Sequence, residues 1–219
     1  MKKIILAIAT IALLSPMSAL AVRDTPHDLS SGTTGTGTAS DVDRICGFCH
    51  TPHGGTQAKA PLWNRLNDIT AFSPYTGSPA MDTTMPGTLP NGVSLACMSC
   101  HDGTTAMGDT IVSTGAGATF TNAGGDSCTY TAGVLGTCNA SLGSDLSNDH
   151  PISIAYATAQ GGTGDPLDAT AGAGTPLFGG NVECASCHAV HTYGATADVQ
   201  PFLRMSKNDS ALCDSCHTY

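Results

Sequence analysis

The chain has 219 residues, with eight Lys and Arg against seventeen Asp and Glu and a formal net charge of −9. That balance argues against nucleic acid or an anionic membrane as partner and suits cationic or metallic ones. Five Phe, five Tyr and one Trp stand beside 26 Gly. So few large side chains cannot fill an ordinary core, and something other than side chains is expected in the middle.

In chain order, residues 1 to 21 (MKKIILAIATIALLSPMSALA) carry Lys2 and Lys3, an apolar run from Ile4 to Leu14 and the small residues Ala19-Leu20-Ala21. This is the layout of a secretory signal peptide, and the run is too short to span a bilayer. A retained N-terminal anchor is the alternative. The expectation is one mature domain, 22 to 219, secreted to the periplasm or beyond, with no membrane span once the signal is removed. Without Lys2 and Lys3, six basic residues face seventeen acidic ones, a net of −11. No cysteine follows the cleavage site before Cys46, so lipid attachment at a new N-terminus is not indicated.

His27 leads into the aperiodic stretch GTTGTGT (32 to 38). CGFCH (Cys46, Cys49, His50) follows, with His53 three residues further on. Trp63 and Phe72 are the expected conventional core residues. CMSCH (Cys97, Cys100, His101) has Ser94 as its expected N-cap. Residues 113 to 125 and 161 to 174 again show no helical or strand period. Between them, Cys128 and Cys138 enclose TYTAGVLGT with no histidine beside either thiol. An oxidising compartment favours a disulfide there, free thiols being the alternative. His150 lies in NDHPIS, where Pro151 imposes an extended approach. CASCH (Cys184, Cys187, His188) precedes His191, and CDSCH (Cys213, Cys216, His217) nearly ends the chain, with Asp209 or Ser210 as expected N-cap.

Eight of the ten cysteines thus form four C-x-x-C pairs, each followed at once by histidine. C-x-x-C-H is the c-type haem attachment signature. Two thiols three residues apart on a helical turn share a face and can bond the two vinyl groups along one side of a porphyrin. The next residue lies under the ring and offers its imidazole to the iron. Zinc is a poorer reading, because a Cys₄ or Cys₂His₂ site needs no histidine after every pair. A thioredoxin-like site occurs once, beside a βαβ pattern that is absent here. The expected cofactor is therefore haem c, four copies, held covalently by Cys46, Cys49, Cys97, Cys100, Cys184, Cys187, Cys213 and Cys216. Four irons with two axial imidazoles each need eight histidines, and the chain has eight. His27, His53, His150 and His191 are accordingly read as distal ligands to the irons on His50, His101, His188 and His217. Methionine is the competing sixth ligand. Met81, Met85, Met107 and Met205 are the candidates, with packing against porphyrin as their ordinary role.

His191 cannot serve its own motif's iron. It lies three residues past His188, roughly 4.5 Å along a helix, and so stays on the face of the ring that His188 already occupies. It is placed for a neighbouring iron, and the same holds for His53. The working assignment gives His27 to the first haem, His150 to the second and His191 to one of the last pair. His217 stands two residues from the end of the chain, leaving little to shield its haem. If His53 reaches outward to that haem on another copy, a head-to-tail polymer results.

HDLS (27 to 30), FCHTPHGG (48 to 55), PLWN (61 to 64), NGVSLACMSCHDGT (91 to 104), DHPIS (149 to 153) and LCDSCH (212 to 217) together resemble the doubled-CxxCH multihaem cytochromes c. The tetrahaem size and the CxxCHxxH segments are similar to extracellular cytochromes that polymerise into conductive filaments. The resemblance implies bis-histidine haems stacked in alternating parallel and T-shaped pairs, with His53 donated across the subunit boundary to the neighbour's His217 haem. His191 is followed by Thr192, Tyr193 and Gly194, where relatives often read CHDPHG, and no histidine follows His217.

The expected function is electron transfer without a substrate, to other redox proteins or extracellular acceptors, either along a filament or as a soluble periplasmic shuttle. A multihaem oxyanion reductase is the rival. It needs an open axial position, which the histidine count does not leave, so no catalytic residue is expected. The expected fold class is mostly irregular chain round a haem core, with short α-helices at the CxxCH motifs and few short strands.

Overall fold

The structure, a computed structural model, describes residues 22–31, 37–39, 41–67, 69–76, 85–112, 120–124, 128–160, 166–192 and 202–218. The proposed signal segment and Met81 lie outside the described residues. Regular elements are short. α1 (Gly92–His101) is ten residues long, and α2 (Tyr156–Ala159) and α3 (Cys184–Cys187) are single turns of four. Two 3₁₀ turns cover Cys46–Phe48 and Asn208–Ser210. Among the described residues six strands make three separate antiparallel ribbons: β1 (Gly37–Ala39) with β2 (Thr121–Gly124), β3 (Tyr130–Thr131) with β4 (Val134–Leu135), and β5 (Ile154–Ala155) with β6 (Asn181–Val182). Among the described residues no helix is long and apolar enough to cross a membrane.

Local chemistry accounts for these elements. α1 starts at Asn91 rather than Ser94: Asn91 is extended (φ −63°, ψ 163°), and Ser94 lies inside the first turn with its hydroxyl committed elsewhere. Gly92 is required at the start, since a Cβ there would stand 1.9 Å from the Ala58 carbonyl oxygen. The helix stops where Asp102 turns its carboxylate onto the N–H groups of Thr104 (2.8 Å) and Thr105 (2.7 Å), the local side-chain competition that ends helices. The β3–β4 ribbon turns through Ala132 (φ 50°) and Gly133 (φ 79°), the double positive φ of a type I′ hairpin. Cys128 and Cys138 form a disulfide across its base, Cα atoms 4.7 Å apart.

Apolar packing is divided and small. Phe72, Met85, Met98 and Leu146 form one buried cluster, and Leu29, Phe48 and Met107 another. Phe72 is core, whereas Trp63 is only half-buried. Among the described residues the buried polar side chains outnumber the apolar ones, fourteen to twelve. With so little apolar area buried among the described residues, specific polar contacts carry much of their order.

Candidate functional site

Each C-x-x-C-H stretch is wound into one turn. In motif one the N–H of His50 donates to the Cys46 carbonyl (2.8 Å), in motif three His188 to Cys184 (3.0 Å), and in motif four His217 to Cys213 (2.9 Å). Motif two is the last turn of α1. The eight motif cysteines are free thiols.

The imidazoles come together in pairs. The rings of His27 and His101 have centroids 6.0 Å apart, His50 and His191 6.2 Å, and His150 and His217 6.4 Å. These ring pairs differ from the working assignment. His27 faces His101 and not His50, His150 faces His217 and not His101, and His191 faces the first motif's histidine rather than one of the last two. The ring beside that of His217 is thus His150 of the same chain. His53 is solvent-exposed, and no ring contact or side-chain hydrogen bond engages it among the described residues. His188 lies near His27 and His101, outside the three ring pairs.

Three of these rings are oriented by backbone carbonyls. His50 Nδ1–H donates to Pro61 O (2.8 Å), His101 Nδ1–H to Ala140 O (2.7 Å) and His150 Nδ1–H to Pro151 O (2.9 Å). A carbonyl only accepts, so Nδ1 holds the proton and Nε2 keeps its lone pair, the arrangement found behind metal-binding histidines. Burial lowers the pKa of His101 and His150, and it lowers His27 to about 3, with His101, His188 and His191 adding to the effect. The shifts favour the neutral ring, the ligand form. His27 Nδ1 and Trp63 Nε1 are sealed from solvent with no hydrogen-bond partner among the described residues, an unusual state for buried polar atoms. Trp63 stands edge-on to His50 at 5.7 Å.

The motifs abut in sequence order. At the first junction the Asn64 N–H donates to Cys49 O (2.9 Å) and Asn64 Nδ2 to Gly47 O (2.8 Å). The next residue, Arg65, donates from Nη2 to Ser99 O (2.8 Å) inside motif two. Burial, then the Cys100 thiol, pushes the Cys49 thiol up to about 12. At the second junction the thiols of Cys97 and Cys184 are hydrogen-bonded, and the Cys184 N–H donates to Ser94 Oγ (3.0 Å). At the third, burial and then Cys216 raise the Cys187 thiol. Beside motif four, a cavity of about 510 Å³ is lined by Tyr156, Gln160, Thr170, Gly172, Thr175 and Leu177 among others. Thr175 Oγ1 is 3.8 Å from Cys216 Sγ. That volume is in the range of ligand sites.

Of the competing methionines, Met85 and Met107 are buried in the apolar clusters. Among the described residues no three His, Cys, Asp or Glu side chains converge as a metal site. The imidazoles meet two at a time. Sequence reasoning passed over Arg65, Asp102 and Glu183, all buried at the motif junctions. One signal was present: Glu183 is the sole glutamate among seventeen acidic residues, and it immediately precedes CASCH.

The chain matches no protein-family model, and no curated protein matches it either.

Proposed function

We propose that the protein is an exported electron carrier that holds four covalent c-type haems through its C-x-x-C-H motifs. The observation that carries this reading is the spacing of the imidazole pairs. A metal–imidazole bond is about 2 Å long, and the ring centre lies roughly 1 Å behind the nitrogen. Two imidazoles on opposite faces of one ion therefore hold their centroids roughly 6 Å apart, beyond a direct hydrogen bond and beyond stacking contact. The pairs at 6.0, 6.2 and 6.4 Å have that spacing. Two ligands leave four equatorial positions, which suits a porphyrin and suits a metal held by protein alone poorly.

In this reading Cys46 and Cys49 attach a haem held by His50 and His191, and Cys97 and Cys100 one held by His101 and His27. Cys213 and Cys216 attach one held by His217 and His150, and Cys184 and Cys187 one held by His188. Bound there, the haems supply one-electron iron couples. The chain orients the imidazoles through Pro61, Ala140 and Pro151, favours the neutral form of His27, His101 and His150 by burial, and sets the groups in a row by abutting motif on motif. Three of the four haems then have both axial faces taken by histidine of this chain, and the fourth, on His188, is the one that His53 of a second copy would complete, so the carrier reading is preferred to the reductase. Mass spectrometry of the exported protein should find four porphyrin additions, and the reduced protein should show a low-spin spectrum unaltered by carbon monoxide. A chain without porphyrin sinks the carrier reading, and carbon monoxide binding without denaturation restores the reductase.

A second copy of the chain is the partner this surface favours. His53 is exposed beside Leu62 (42 % exposed) and Val112 (41 %), and Gly54 and Gly55 pack the intervening loop against those two residues. A ligand histidine set in an exposed apolar patch suits donation to a haem of a neighbouring molecule, though not the one on His217. Electron microscopy should show filaments of the native material and monomers of His53→Ala. Filaments unchanged by that substitution refute the donation.

A further inference from the structure

Two buried, oppositely charged side chains stand at successive motif junctions. Arg65 is 1 % exposed. Its Nε donates to Ser99 O and Oγ (both 3.2 Å), its Nη2 to Ser99 O and Ala106 O (both 2.8 Å), and its Nη1 to Met107 O (2.5 Å). All of these acceptors are neutral, and among the described residues Arg65 makes no ion pair. The guanidinium is a permanent cation, and its charge acts on both Cys49 and Cys100. Lys59 Nζ, which donates to Arg65 O (3.2 Å), adds a second cation at the same place.

Glu183 is likewise 1 % exposed. Its carboxylate takes hydrogen bonds from Asn91 Nδ2 (2.9 Å), Ser153 Oγ (2.9 Å) and Ser94 Oγ. Each hydroxyl also accepts an N–H, Ser94 Oγ that of Cys184 and Ser153 Oγ that of Asn91, and turns its own hydrogen to the carboxylate. The Ser186 N–H also points at the Glu183 side chain, so every group that meets this acceptor has a hydrogen to give. Ser153 is held at φ 57° to present its hydroxyl, a strained conformation for a residue other than glycine. A full negative charge therefore lies beside Cys184 at the head of motif three. Motif two feels both signs, since Cys100 neighbours Arg65 and also Asp102. Arg204 touches motif three through Nε to Ala185 O (2.7 Å), but it is exposed and its charge is screened by water.

We propose that Arg65 and Glu183 are positioning residues that grade the reduction potential along the row, raising it at motif one and lowering it at motif three. The inference rests on the four-haem reading. A buried cation stabilises an added electron nearby, and a buried anion opposes one, each with the strength that a low-dielectric setting allows. The step involved is a one-electron exchange. The group on Cys184 gives up the electron that the group on Cys49 gains, and no bond or proton moves. An electron supplied from outside therefore drains toward the motif one end.

The test is a spectroelectrochemical titration of the haem-loaded protein and its Arg65→Met, Arg65→Lys and Glu183→Gln variants, with porphyrin content checked by mass. Arg65→Met should lower the upper potentials and Glu183→Gln raise the lower ones. Each should change the one-electron equilibrium about tenfold, which is about 59 mV, and Arg65→Lys should stay near the parent. Variants with four haems and unshifted potentials overturn the grading while leaving the carrier reading intact. A parent chain without porphyrin overturns both. Where Arg65→Met does not fold, Glu183→Gln decides alone: an upward shift supports the grading and none refutes it.

Discussion

The junction of motifs one and two and the junction of motifs two and three are built alike and charged oppositely. Each ties one C-x-x-C-H turn to the next through a single buried ionic side chain whose partners are neutral. Arg65 reaches across to the Ser99 and Met107 carbonyls, and Glu183 reaches back to Asn91, Ser94 and Ser153. The difference is in what fails when the charge is removed. Three dry carbonyls lose their donor at the first junction. At the second, hydroxyls and an amide lose an acceptor but can still turn to one another or to the neutral amide of a glutamine. The first junction is therefore the less forgiving one, although both are equally buried.

Acid is the broadest way to break that comparison, because it acts on the imidazole pairs and not on Arg65. Burial depresses His27, His101 and His150, so the unfolded chain binds protons that the folded chain refuses. Stability is fully present above the ordinary histidine value of about 6.5 and is lost as pH falls below it. For His27 the loss continues toward about 3. Each such group contributes up to about 1.4 kcal/mol per pH unit. Urea unfolding from pH 7 to pH 4 should show this slope, and His27→Phe should flatten it. A parent midpoint that does not move with pH contradicts the burial of these rings.

Arg65→Met is the largest single-residue effect expected. It keeps the apolar stem and leaves the carbonyls of Ser99, Ala106 and Met107 without donors. At about 1–3 kcal/mol for each unsatisfied buried group, the loss should be about 3 kcal/mol or more, read as a drop in the urea midpoint. A cost under about 1 kcal/mol means that water replaces the guanidinium, and the two junctions then differ in sign alone.

These two charges also mark the limit of what the sequence discloses. Four C-x-x-C-H repeats and eight histidines were legible because each repeat is a local, one-turn affair. The hairpin disulfide was legible too, since both cysteines border one short loop. Ring pairing was not. His191 meets His50 across more than half the chain, and that depends on how the turns abut, which no spacing encodes. Ser94 was misread as a cap because a serine before a helical run looks the same whether its hydroxyl serves its own helix or a distant carboxylate. Arg65 was invisible for a related reason: an arginine after PLWN is ordinarily a surface residue, and only the fold reveals that it is dry.

The Cys128–Cys138 link bears on the first junction indirectly. The disulfide anchors the loop whose Ala140 carbonyl orients His101. Replacing both cysteines by serine should cost about 2–3 kcal/mol by the loop-closure argument and loosen His101 while leaving His188 as it was. Thermal unfolding measures the first, and the imidazole resonances of the two histidines the second. Equal perturbation at both sites means that the loop's influence extends past α1.

The smallest effect should come from Arg204, and it isolates burial from contact. Its Nε–H lies 2.7 Å from the Ala185 carbonyl inside CASCH, nearly the contact that Arg65 makes with Ser99 inside CMSCH. Arg204 is exposed, so water takes over both the carbonyl and the charge once the side chain is gone. Arg204→Gln should change stability by no more than about 0.5 kcal/mol, and any ionic contribution should vanish in high salt. Urea titrations at low and high salt decide this. If Arg204→Gln costs as much as Arg65→Met, an arginine on a motif carbonyl matters wherever it sits, and the distinction between a dry junction and a wet one no longer explains either.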